Sequence, residues 1–331
     1  MKLLVIGCGS IGERHIRNLK NISKRNEIFV FDLDKRRQRL MEKRYGVTPI
    51  KNLSKFISKE KIDGILICVP PSFHLELAKK LLKYNSPLFI EKPLSHKFNG
   101  IDGFVKQVKK RNTPVLIGYN LHFHPGIILV KKFIEENKIG RLLSVRIDAG
   151  QYLPDWRPWQ DYRKSYTAKE DLGGGIILDG SHEINYLCWF LNNMKPTKIF
   201  CLAGKISDLE VETEDTAEIL LKFNTGTIAN IHLDFTQRAY SRSCKIIGTD
   251  GTIIWDYPGN KVKLYMAKNK KWQIFNLKFK PNDMYIEEMK HFLRIIQKKE
   301  KPRVSLIEGR NTLKLALSAK KSAKINKNIL L

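Results

Sequence analysis

Apolar residues recur along the first third of the chain in two alternating patterns. Short apolar runs, each the length of a strand, predict five β-strands at residues 2–6, 27–31, 64–69, 87–90 and 114–118. The stretches between them, at residues 13–21, 35–45 and 74–84, carry their apolar residues at helical spacing. Strands that alternate with helices are typical of a parallel sheet covered on both faces, so this part of the chain is predicted to be a doubly wound α/β domain.

The pattern changes after Tyr119. Residues 216–223 and 227–235 alternate apolar and polar side chains on either side of an Asn-Thr-Gly turn, which predicts a hairpin in an antiparallel or mixed sheet. Helices are predicted at residues 126–137, 177–191, 285–298 and 307–326. We therefore place a domain boundary near residue 120, with one domain over residues 1–120 and a second α/β domain over residues 121–331.

The net charge of the 331-residue chain is +27, which raises the question of a nucleic-acid or membrane partner. The basic residues are spread along the whole sequence rather than clustered, so we interpret them as solvated surface and expect neither partner. No apolar run approaches the roughly 20 residues of a membrane helix. The five cysteines are scattered and never spaced as CxxC, which favours a reducing cytoplasm over a disulfide framework or a zinc site.

A glycine-rich motif, GCGSIG at residues 7–12, follows the first predicted strand and opens the first helix. In a dinucleotide-binding fingerprint the first glycine permits the tight turn, the second lets the pyrophosphate approach the backbone, and the third lets helix and strand pack closely. The helix N-terminus then directs its N–H groups at the phosphates. The cofactor-binding residues predicted from this motif are Gly7, Gly9, Ser10, Ile11 and Gly12.

Asp32 lies about 20 residues further on, at the end of the second strand, as the fingerprint requires. A carboxylate at this position accepts hydrogen bonds from the ribose hydroxyls of NAD and repels the 2′-phosphate of NADP, so NAD is the predicted cofactor. Lys35, Arg36 and Arg37 keep NADP open as the alternative, because an arginine can accommodate a 2′-phosphate. We favour their interpretation as the solvated first turn of a helix.

Glu91, Lys92 and Pro93 follow the fourth predicted strand directly. Residues beyond the carboxyl ends of parallel strands line the ligand crevice of an open sheet, so Lys92 is expected to face the nicotinamide end of the cofactor. A lysine there is suited to proton transfer with a substrate hydroxyl.

The sequence resembles the Gfo/Idh/MocA oxidoreductases, named for glucose-fructose oxidoreductase and inositol dehydrogenase. The matching stretches come in the family's order across most of the chain: GCGSIGERH at 7–15, VPPSFH at 69–74, EKP at 91–93, GYN at 118–120, GGG at 173–175, HEI at 182–184 and GTDGT at 248–252. The resemblance implies a Rossmann domain followed by an α/β domain with an open, mixed, largely antiparallel sheet, often used for oligomerisation as a dimer or tetramer. It also implies NAD(P)-linked oxidation or reduction of a sugar, a nucleotide sugar or a cyclic polyol.

The resemblance assigns roles to particular residues by position. Lys92 and His182 look like the family's active-site lysine and catalytic histidine, and Asp179 resembles the acid of the same helix. The acid and the histidine are three residues apart here, where the family more often has four, and both spacings place the pair on one helix face. A cis Lys92–Pro93 peptide bond is also implied. The resemblance adds a set of cofactor-binding residues, which are Val69, Pro70, His74, Glu91, Lys92 and Asn120.

Two positions depart from the family's pattern near the expected pocket. His122 stands where many relatives have arginine, and Asn185 stands where the family often has aspartate. Each exchange removes a formal charge, so the departures bear on the substrate more than on the chemistry. His122, His124 and His182 raise the question of a metal, but no carboxylate completes a ligand set and the family needs no metal, so none is predicted.

Residues 152–163, YLPDWRPWQDYR, form a predicted loop unusually rich in Trp, Tyr and Arg. Aromatic faces stack on sugar rings or bases and arginine binds carboxylate or phosphate, so the loop suits an anionic sugar or a nucleotide sugar. Similar loops recur in relatives associated with surface-glycan synthesis. The alternative is a loop packed between domains or subunits. The predicted substrate residues are His122, Trp156, Arg157, Trp159, Tyr162 and Arg163.

These observations predict a cytoplasmic NAD-dependent enzyme that transfers a hydride between the nicotinamide and a sugar or polyol carbon. Lys92 and His182 are expected to converge on one pocket and to move the proton of the hydroxyl. Two alternatives stay open. They are an NADPH-dependent reductase of another small carbonyl or imine, and a dinucleotide-binding regulatory protein without turnover.

Overall fold

A parallel sheet of six strands forms from the first third of the chain in the computed structural model, which describes residues 1–191 and 194–331. The strands are β1 (Lys2–Ile6), β2 (Glu27–Phe31), β3 (Thr48–Pro49), β4 (Gly64–Ile67), β5 (Leu88–Glu91) and β6 (Val115–Gly118). Their spatial order is β3-β2-β1-β4-β5-β6, and every neighbouring pair is parallel. This is the strand order of the dinucleotide-binding Rossmann fold. The doubly wound domain predicted from the sequence is therefore confirmed.

Helices connect these strands, as right-handed crossovers between parallel strands require. They are α1 (Ser10–Ile22), α2 (Lys35–Tyr45), α3 (Leu53–Ile57), α4 (Pro71–Leu81) and α5 (Ile101–Arg111). Strands β4, β5 and β6 are buried along their whole length, which is expected of a parallel sheet covered on both faces.

A second sheet contains nine strands among the described residues. They are β7 (Leu142–Gly150), β8 (Pro196–Gly204), β9 (Thr216–Phe223), β10 (Ile228–Asp234), β11 (Ser241–Gly248), β12 (Gly251–Asp256), β13 (Lys261–Met266), β14 (Lys271–Asn276) and β15 (Ile329–Leu330). The order is β14-β13-β12-β11-β7-β10-β9-β8-β15, and only the β7–β10 pairing is parallel. The open, mixed, largely antiparallel sheet and its β9–β10 hairpin are thus confirmed.

Helices cover one face of the second sheet. They are α6 (Pro125–Glu135), α7 (Leu153–Trp156), α8 (Ile176–Asp179) and α9 (Ser181–Phe190). Two longer helices, α10 (Asp283–Ile296) and α11 (Leu306–Ile325), come later in the sequence, after β14. On the covered face, large side chains such as Trp255 and Phe223 are fully buried. The opposite face carries exposed apolar side chains, which are Leu202, Leu220, Ile228, Trp272 and Ile274. No helix in the described part of the chain combines the length and the apolar character needed to cross a bilayer.

The chain divides into two compact units, Met1–Asn120 with Pro281–Arg310, and Leu121–Lys280 with Asn311–Leu331. This corrects the assignment of everything after residue 120 to the second domain. Helix α10 packs on α1 within the first unit, where Asn282 Nδ2 donates a hydrogen bond to Asn18 Oδ1 at 2.9 Å. Contacts between residues so distant in sequence leave no trace in local periodicity, which is why the pattern did not reveal them.

The helix predicted over residues 177–191 is interrupted at Gly180. Helix α8 ends at Asp179, and α9 begins at Ser181. A Cβ at Gly180 would lie 2.8 Å from both the Ile176 carbonyl oxygen and the Leu233 side chain, so the break needs glycine. Asp179 and His182 therefore lie on two helices, and the argument that they share one helix face was wrong.

Candidate active site

The glycine turn after β1 has the shape that the fingerprint requires. Gly7 has a φ of +98°, and a Cβ there would lie 2.5 Å from the Cys68 carbonyl oxygen. A Cβ at Gly12 would lie 1.9 Å from the Gly7 carbonyl oxygen, so helix and turn touch at this point. Gly9 caps α1 without a side-chain hydrogen bond, and a Cβ there would meet no protein atom within 4 Å. The space beside Gly9, with Ser10 and Ile11 opening the helix, suits a diphosphate.

Asp32 is held beside this turn by backbone N–H groups. Its Oδ2 accepts a hydrogen bond from Cys8 N at 2.7 Å, and its Oδ1 accepts one from Asp34 N at 2.8 Å. Arg36 is turned to Asp34, with Nη2 and Oδ2 3.2 Å apart. The carboxylate is thus placed to accept hydrogen bonds from ribose hydroxyls, while Arg36 forms its ion pair with Asp34.

Leu33, next to this acid, is a residue that the sequence analysis missed. Its side chain is 90% exposed, which is unusual for leucine and leaves an apolar surface free beside the ribose site. Such a surface suits an adenine ring. The available signal was an apolar residue directly after the fingerprint acid.

The His74 ring lies between two of the predicted cofactor-binding segments and contacts the backbone of both. Its Nε2 lies 2.7 Å from the Val69 carbonyl oxygen and its Nδ1 lies 2.8 Å from the Pro93 carbonyl oxygen. Burial lowers the pKa of His74 against the opposing effect of these hydrogen bonds, and a neutral ring donates to only one of the two carbonyls. The ring is buried, so His74 supports the segments after Val69 and Lys92 rather than facing the cofactor. The Lys92–Pro93 bond is cis, as the resemblance implied.

Glu91 supports the Lys92 backbone in a similar way. Its Oε1 lies 2.6 Å from His15 Nε2, and its Oε2 accepts a hydrogen bond from Lys92 N at 3.2 Å. The carboxylate is buried, and Gly118 makes room for it, since a Cβ there would lie 3.2 Å from Glu91 Oε2. Asn120 follows β6 at the same carboxyl edge of the sheet as Lys92.

Glu288, on α10, is a second buried carboxyl group in the first unit. It is 0% exposed, and neither oxygen has a hydrogen-bond partner among the residues that the structure describes. Burial, and then the nearby Glu91 carboxylate, raises the pKa of Glu288 well above its ordinary value. Glu288 is therefore a neutral carboxylic acid.

Replacing Glu288 with Gln should stabilise the protein increasingly as the pH rises. A carboxyl whose pKa is raised on folding contributes its full stability below the unfolded pKa and loses it as the pH approaches the folded pKa. Glutamine does not titrate. The difference in the free energy of unfolding between the variant and the wild type should therefore grow as the pH rises above the unfolded-state pKa of the carboxyl group. Melting temperatures between about pH 5 and about pH 9 measure this.

The neighbouring Glu287→Gln is the matched control. Glu287 is exposed and lies 2.8 Å from Lys290, so its removal should not change the slope with pH in that range. If the melting temperatures of Glu288→Gln and the wild type differ by the same amount at every pH, the pKa of Glu288 is not raised in the folded protein.

In the second unit, Asp179 is fixed by a residue absent from the predicted set. Tyr166 donates its phenolic hydrogen to Asp179 Oδ1 at 2.6 Å, and Asp179 is only 5% exposed. Gly174 permits this contact, because a Cβ there would lie 2.4 Å from the Tyr166 carbonyl oxygen. The glycine run thus allows a close approach of the segment that carries Tyr166. The signal for Tyr166 was its position just after the aromatic loop.

His182 lies in the first turn of α9 and is half-buried. The next residue, Glu183, is fully buried and forms an ion pair with Arg242 of β11, with Oε1 and Nε 2.9 Å apart. A buried pair of this kind is costly to break, so it holds the first turn of α9 against the sheet. The position of His182 follows from that contact.

The two departures from the family's pattern contact each other. His122 Nε2 lies 2.7 Å from Asn185 Oδ1, and the His122 ring stacks on Trp189 with centroids 4.2 Å apart. His122 is 1% exposed, and Asn185 Nδ2 donates a second hydrogen bond to Thr312 at 3.0 Å. A histidine and an amide thus pair where the family often has an arginine and an aspartate. The substrate role predicted for His122 is corrected on this ground, because its ring is occupied inside the unit.

His124 is likewise buried, and its Nδ1 accepts a hydrogen bond from Gly126 N. Desolvation, with a smaller effect of Arg242, lowers the pKa of His124 to about 3, so the ring is neutral. Within residues 1–191 and 194–331, no three His, Cys, Asp or Glu side chains are grouped as a metal site.

Much of the loop at residues 152–163 is occupied by contacts within its own unit. Trp156 donates its indole N–H to the Gln151 carbonyl and lies edge-on to Phe235. Tyr162 accepts a hydrogen bond from Glu210 N through its hydroxyl. Arg163 forms ion pairs with Asp161 at 2.9 Å and with Glu210 at 3.1 Å. For Trp156, Tyr162 and Arg163 the packed-loop alternative therefore describes the structure better than a ligand-facing role.

Arg157 and Trp159 differ from these neighbours. The Arg157 guanidinium has no hydrogen-bond or ion-pair partner among the described residues, and Trp159 is 76% exposed. A small pocket of the same unit is lined by Leu153, Trp156, Arg157, Gln160, Tyr162, Ser165 and Thr167. The loop thus offers one available cation and one exposed aromatic face.

Two family models match the chain. The model described as the oxidoreductase family with an NAD-binding Rossmann fold matches residues 1–119, and the model described as the GFO/IDH/MocA C-terminal domain matches residues 127–254. The chain belongs to the Gfo/Idh/MocA oxidoreductases. It is an NAD-binding enzyme of a family of sugar and polyol dehydrogenases that act on CH–OH groups, and the prediction of NAD as the cofactor is confirmed.

Several relatives resemble this enzyme over most or all of its length. Myo-inositol 2-dehydrogenase of Thermotoga maritima is 27% identical over 99% of this chain and 98% of its own. Levoglucosan dehydrogenase of Pseudarthrobacter phenanthrenivorans is 24% identical over 61% of this chain and 57% of its own. The WlbA dehydrogenase of Bordetella pertussis, solved with NADH and UDP-GlcNAcA, matches all of this chain and 97% of its own, with a TM-score of 0.84 at 19% identity. That last likeness is one of fold.

Proposed function

We propose that this enzyme uses NAD to oxidise a hydroxyl, or to reduce the corresponding ketone, of a sugar that carries an anionic group, such as a nucleotide sugar or a uronate. The observation that carries the proposal is the Arg157 guanidinium, which has no partner among the described residues, together with the exposed Trp159 two positions further along the loop. An arginine fork recognises phosphate or carboxylate, and an aromatic face stacks on a sugar ring or a base. The WlbA dehydrogenase, a protein of similar fold solved with UDP-GlcNAcA, supports a nucleotide-sugar substrate by analogy. A role in surface-glycan synthesis, which the resemblance of the aromatic loop implies, belongs to the same proposal.

In the proposed mechanism, the first unit supplies the cofactor site and Lys92, and the second unit supplies His182 and Asp179. The glycine turn and Asp32 hold NAD, which supplies the hydride acceptor or donor when bound. Lys92 hydrogen-bonds the reacting oxygen and exchanges its proton, His182 shares that proton transfer, and Asp179 orients the hydroxyl.

We further propose a homo-oligomer in the cytoplasm. The support for an oligomer is the uncovered face of the second sheet, whose five exposed apolar side chains, named above, are typical of an interface core. The support for the cytoplasm is cysteine usage, since the five thiols are free and scattered over both units.

A turnover screen tests the proposal. Purified enzyme is incubated with NAD or NADP and with UDP-glucuronate, UDP-N-acetylglucosamine, glucuronate, glucose or myo-inositol, and nicotinamide absorbance is followed. We expect NAD reduction with the anionic sugars in preference to glucose and myo-inositol. The Arg157→Gln variant should raise KM for the preferred anionic sugar about tenfold or more, because a hydrogen bond to a charged group contributes about 1.5–3 kcal/mol.

Arg111→Gln is the control for that variant, because Arg111 lies at the end of α5 in the first unit and donates to Asn85 on the surface. Preferred turnover of myo-inositol with an unchanged KM in Arg157→Gln would refute the anionic substrate. Turnover with NADP alone, on ketones, would support the reductase alternative instead.

A further inference from the structure

The hydrogen bond between Tyr166 and Asp179 joins the candidate acid to a segment outside the recognised motifs. The donor–acceptor distance is 2.6 Å, Asp179 is buried, and Tyr166 is half-buried. A hydrogen bond to an ionised carboxylate is stronger than one between neutral groups, and exclusion of water strengthens it further. Loss of this hydroxyl should therefore alter the orientation of the acid.

The backbone on either side of Tyr166 is tightly held. Gly175 N donates to the Thr167 carbonyl at 3.0 Å, and Glu212 N donates to the Ala168 carbonyl at 2.9 Å. Ser165 Oγ accepts a hydrogen bond from Thr167 N. These hydrogen bonds fix the backbone from which the tyrosine ring reaches Asp179. The contact is a property of the folded unit rather than of one mobile side chain.

The same segment lines the pocket that holds Arg157. Ser165 and Thr167, the residues on either side of Tyr166, both contribute to that pocket. A group bound beside Arg157 would therefore contact the segment that positions the acid. Enzymes commonly use binding energy from a remote part of the substrate to orient groups at the reacting centre.

We propose that Tyr166 is a positioning residue of the reaction, whose hydroxyl holds Asp179 in its working orientation and links that orientation to the Arg157 pocket. The inference rests on the proposed function, in which Asp179 acts on the substrate hydroxyl. Tyr166 itself touches neither the cofactor nor the reacting atoms in this assignment. Its removal should lower kcat and leave KM and NAD affinity nearly unchanged.

Tyr166→Phe tests this, with Tyr45→Phe as the matched control. Tyr45 also donates its hydroxyl to a carboxylate, Glu13, at 2.8 Å, but it lies on α2 in the first unit. With NAD and UDP-glucuronate, and again with NAD and myo-inositol, Tyr166→Phe should lower kcat at least about tenfold, while Tyr45→Phe keeps the wild-type kcat. In an Asp179→Asn background, Tyr166→Phe should add little further loss.

The carboxyl carbon of Asp179, followed by NMR in ¹³C-aspartate-labelled protein and assigned with Asp179→Asn, gives a readout that needs no turnover. At one fixed pH its chemical shift should change in Tyr166→Phe and stay at the wild-type value in Tyr45→Phe, because only the first variant removes the donor to Asp179. Wild-type kcat in Tyr166→Phe would overturn the inference. If the wild type turns over neither sugar, the proposed function fails. The NMR comparison then decides the inference: a changed Asp179 chemical shift in Tyr166→Phe supports it, and an unchanged chemical shift overturns it.

Discussion

Alanine at Lys92 or at His182 should lower kcat by about 10²-fold or more, the usual scale for a group that transfers a proton in the transition state. Lys92 directly follows β5, while Gly7 and Asp32 follow β1 and β2. The carboxyl ends of these parallel strands meet at one edge of the sheet, where open α/β sheets bind their ligands. Lys92 therefore lies at the same edge as the cofactor-binding residues.

The expectation for His182 rests on how its helix is held. The buried Glu183–Arg242 pair places the first turn of α9 on the sheet, and Asp179 ends the helix immediately before it. An alanine at position 182 removes the ring without touching that pair. NAD affinity should therefore stay nearly unchanged while kcat falls.

Steady-state kinetics and NAD titration of both variants measure these effects, on whichever anionic sugar the screen shows to be turned over. Lys97→Ala is the control, since Lys97 is exposed and follows Lys92 by five residues in the same segment. A His182→Ala enzyme with full kcat would remove this histidine from the mechanism. The fold assignment and the cofactor site would be unaffected by that result.

Gly9→Ala should abolish most of the NAD affinity while leaving the fold intact. Gly9 has a φ of −73°, which alanine adopts without strain, and its Cβ would meet no protein atom within 4 Å. That methyl group would occupy the space through which the pyrophosphate approaches the backbone. We expect the Kd for NAD to rise at least about tenfold, equivalent to about 1.4 kcal/mol. Calorimetric titration and melting temperature together measure this.

Alanine variants of two further glycines serve as controls for this result. Gly103→Ala, on α5, also adds a methyl group in open space and should leave NAD affinity unchanged. Gly12→Ala should instead lower the melting temperature, because its Cβ would lie 1.9 Å from the Gly7 carbonyl oxygen. If Gly9→Ala binds NAD as tightly as the wild type, the diphosphate does not pass beside Gly9.

Local patterns predicted the features of this enzyme that depend on neighbouring residues. Apolar runs with helical stretches between them predicted the parallel sheet, and the Asn-Thr-Gly turn predicted the β9–β10 hairpin. The glycine spacing and Asp32 predicted the cofactor because a turn, a helix start and a strand end are each set by a few consecutive residues. The cis bond before Pro93 came from family resemblance rather than from any local pattern.

Tertiary packing determined the features that join distant residues. Helix α10 belongs with the first unit because it packs on α1, and no periodicity within α10 records that partner. The contact between His122 and Asn185 arises the same way, because the two residues are 63 positions apart in the sequence and only the fold brings them together. Sequence patterns report which face of an element is apolar, but they do not report which other element covers it.

The loop at residues 152–163 shows this limit most directly. Its composition predicted ligand binding for Trp156, Arg157, Trp159, Tyr162 and Arg163 alike, because the side-chain chemistry is the same whether a partner is a sugar or the protein itself. In the fold, Arg163 faces Asp161 and Glu210, and Arg157 keeps its guanidinium unpaired among the described residues. Which arginine is available depends on the chain trace through residue 210, and which tyrosine reaches Asp179 depends on the close approach that Gly174 allows. Both follow from three-dimensional contacts that residue types and spacing do not encode.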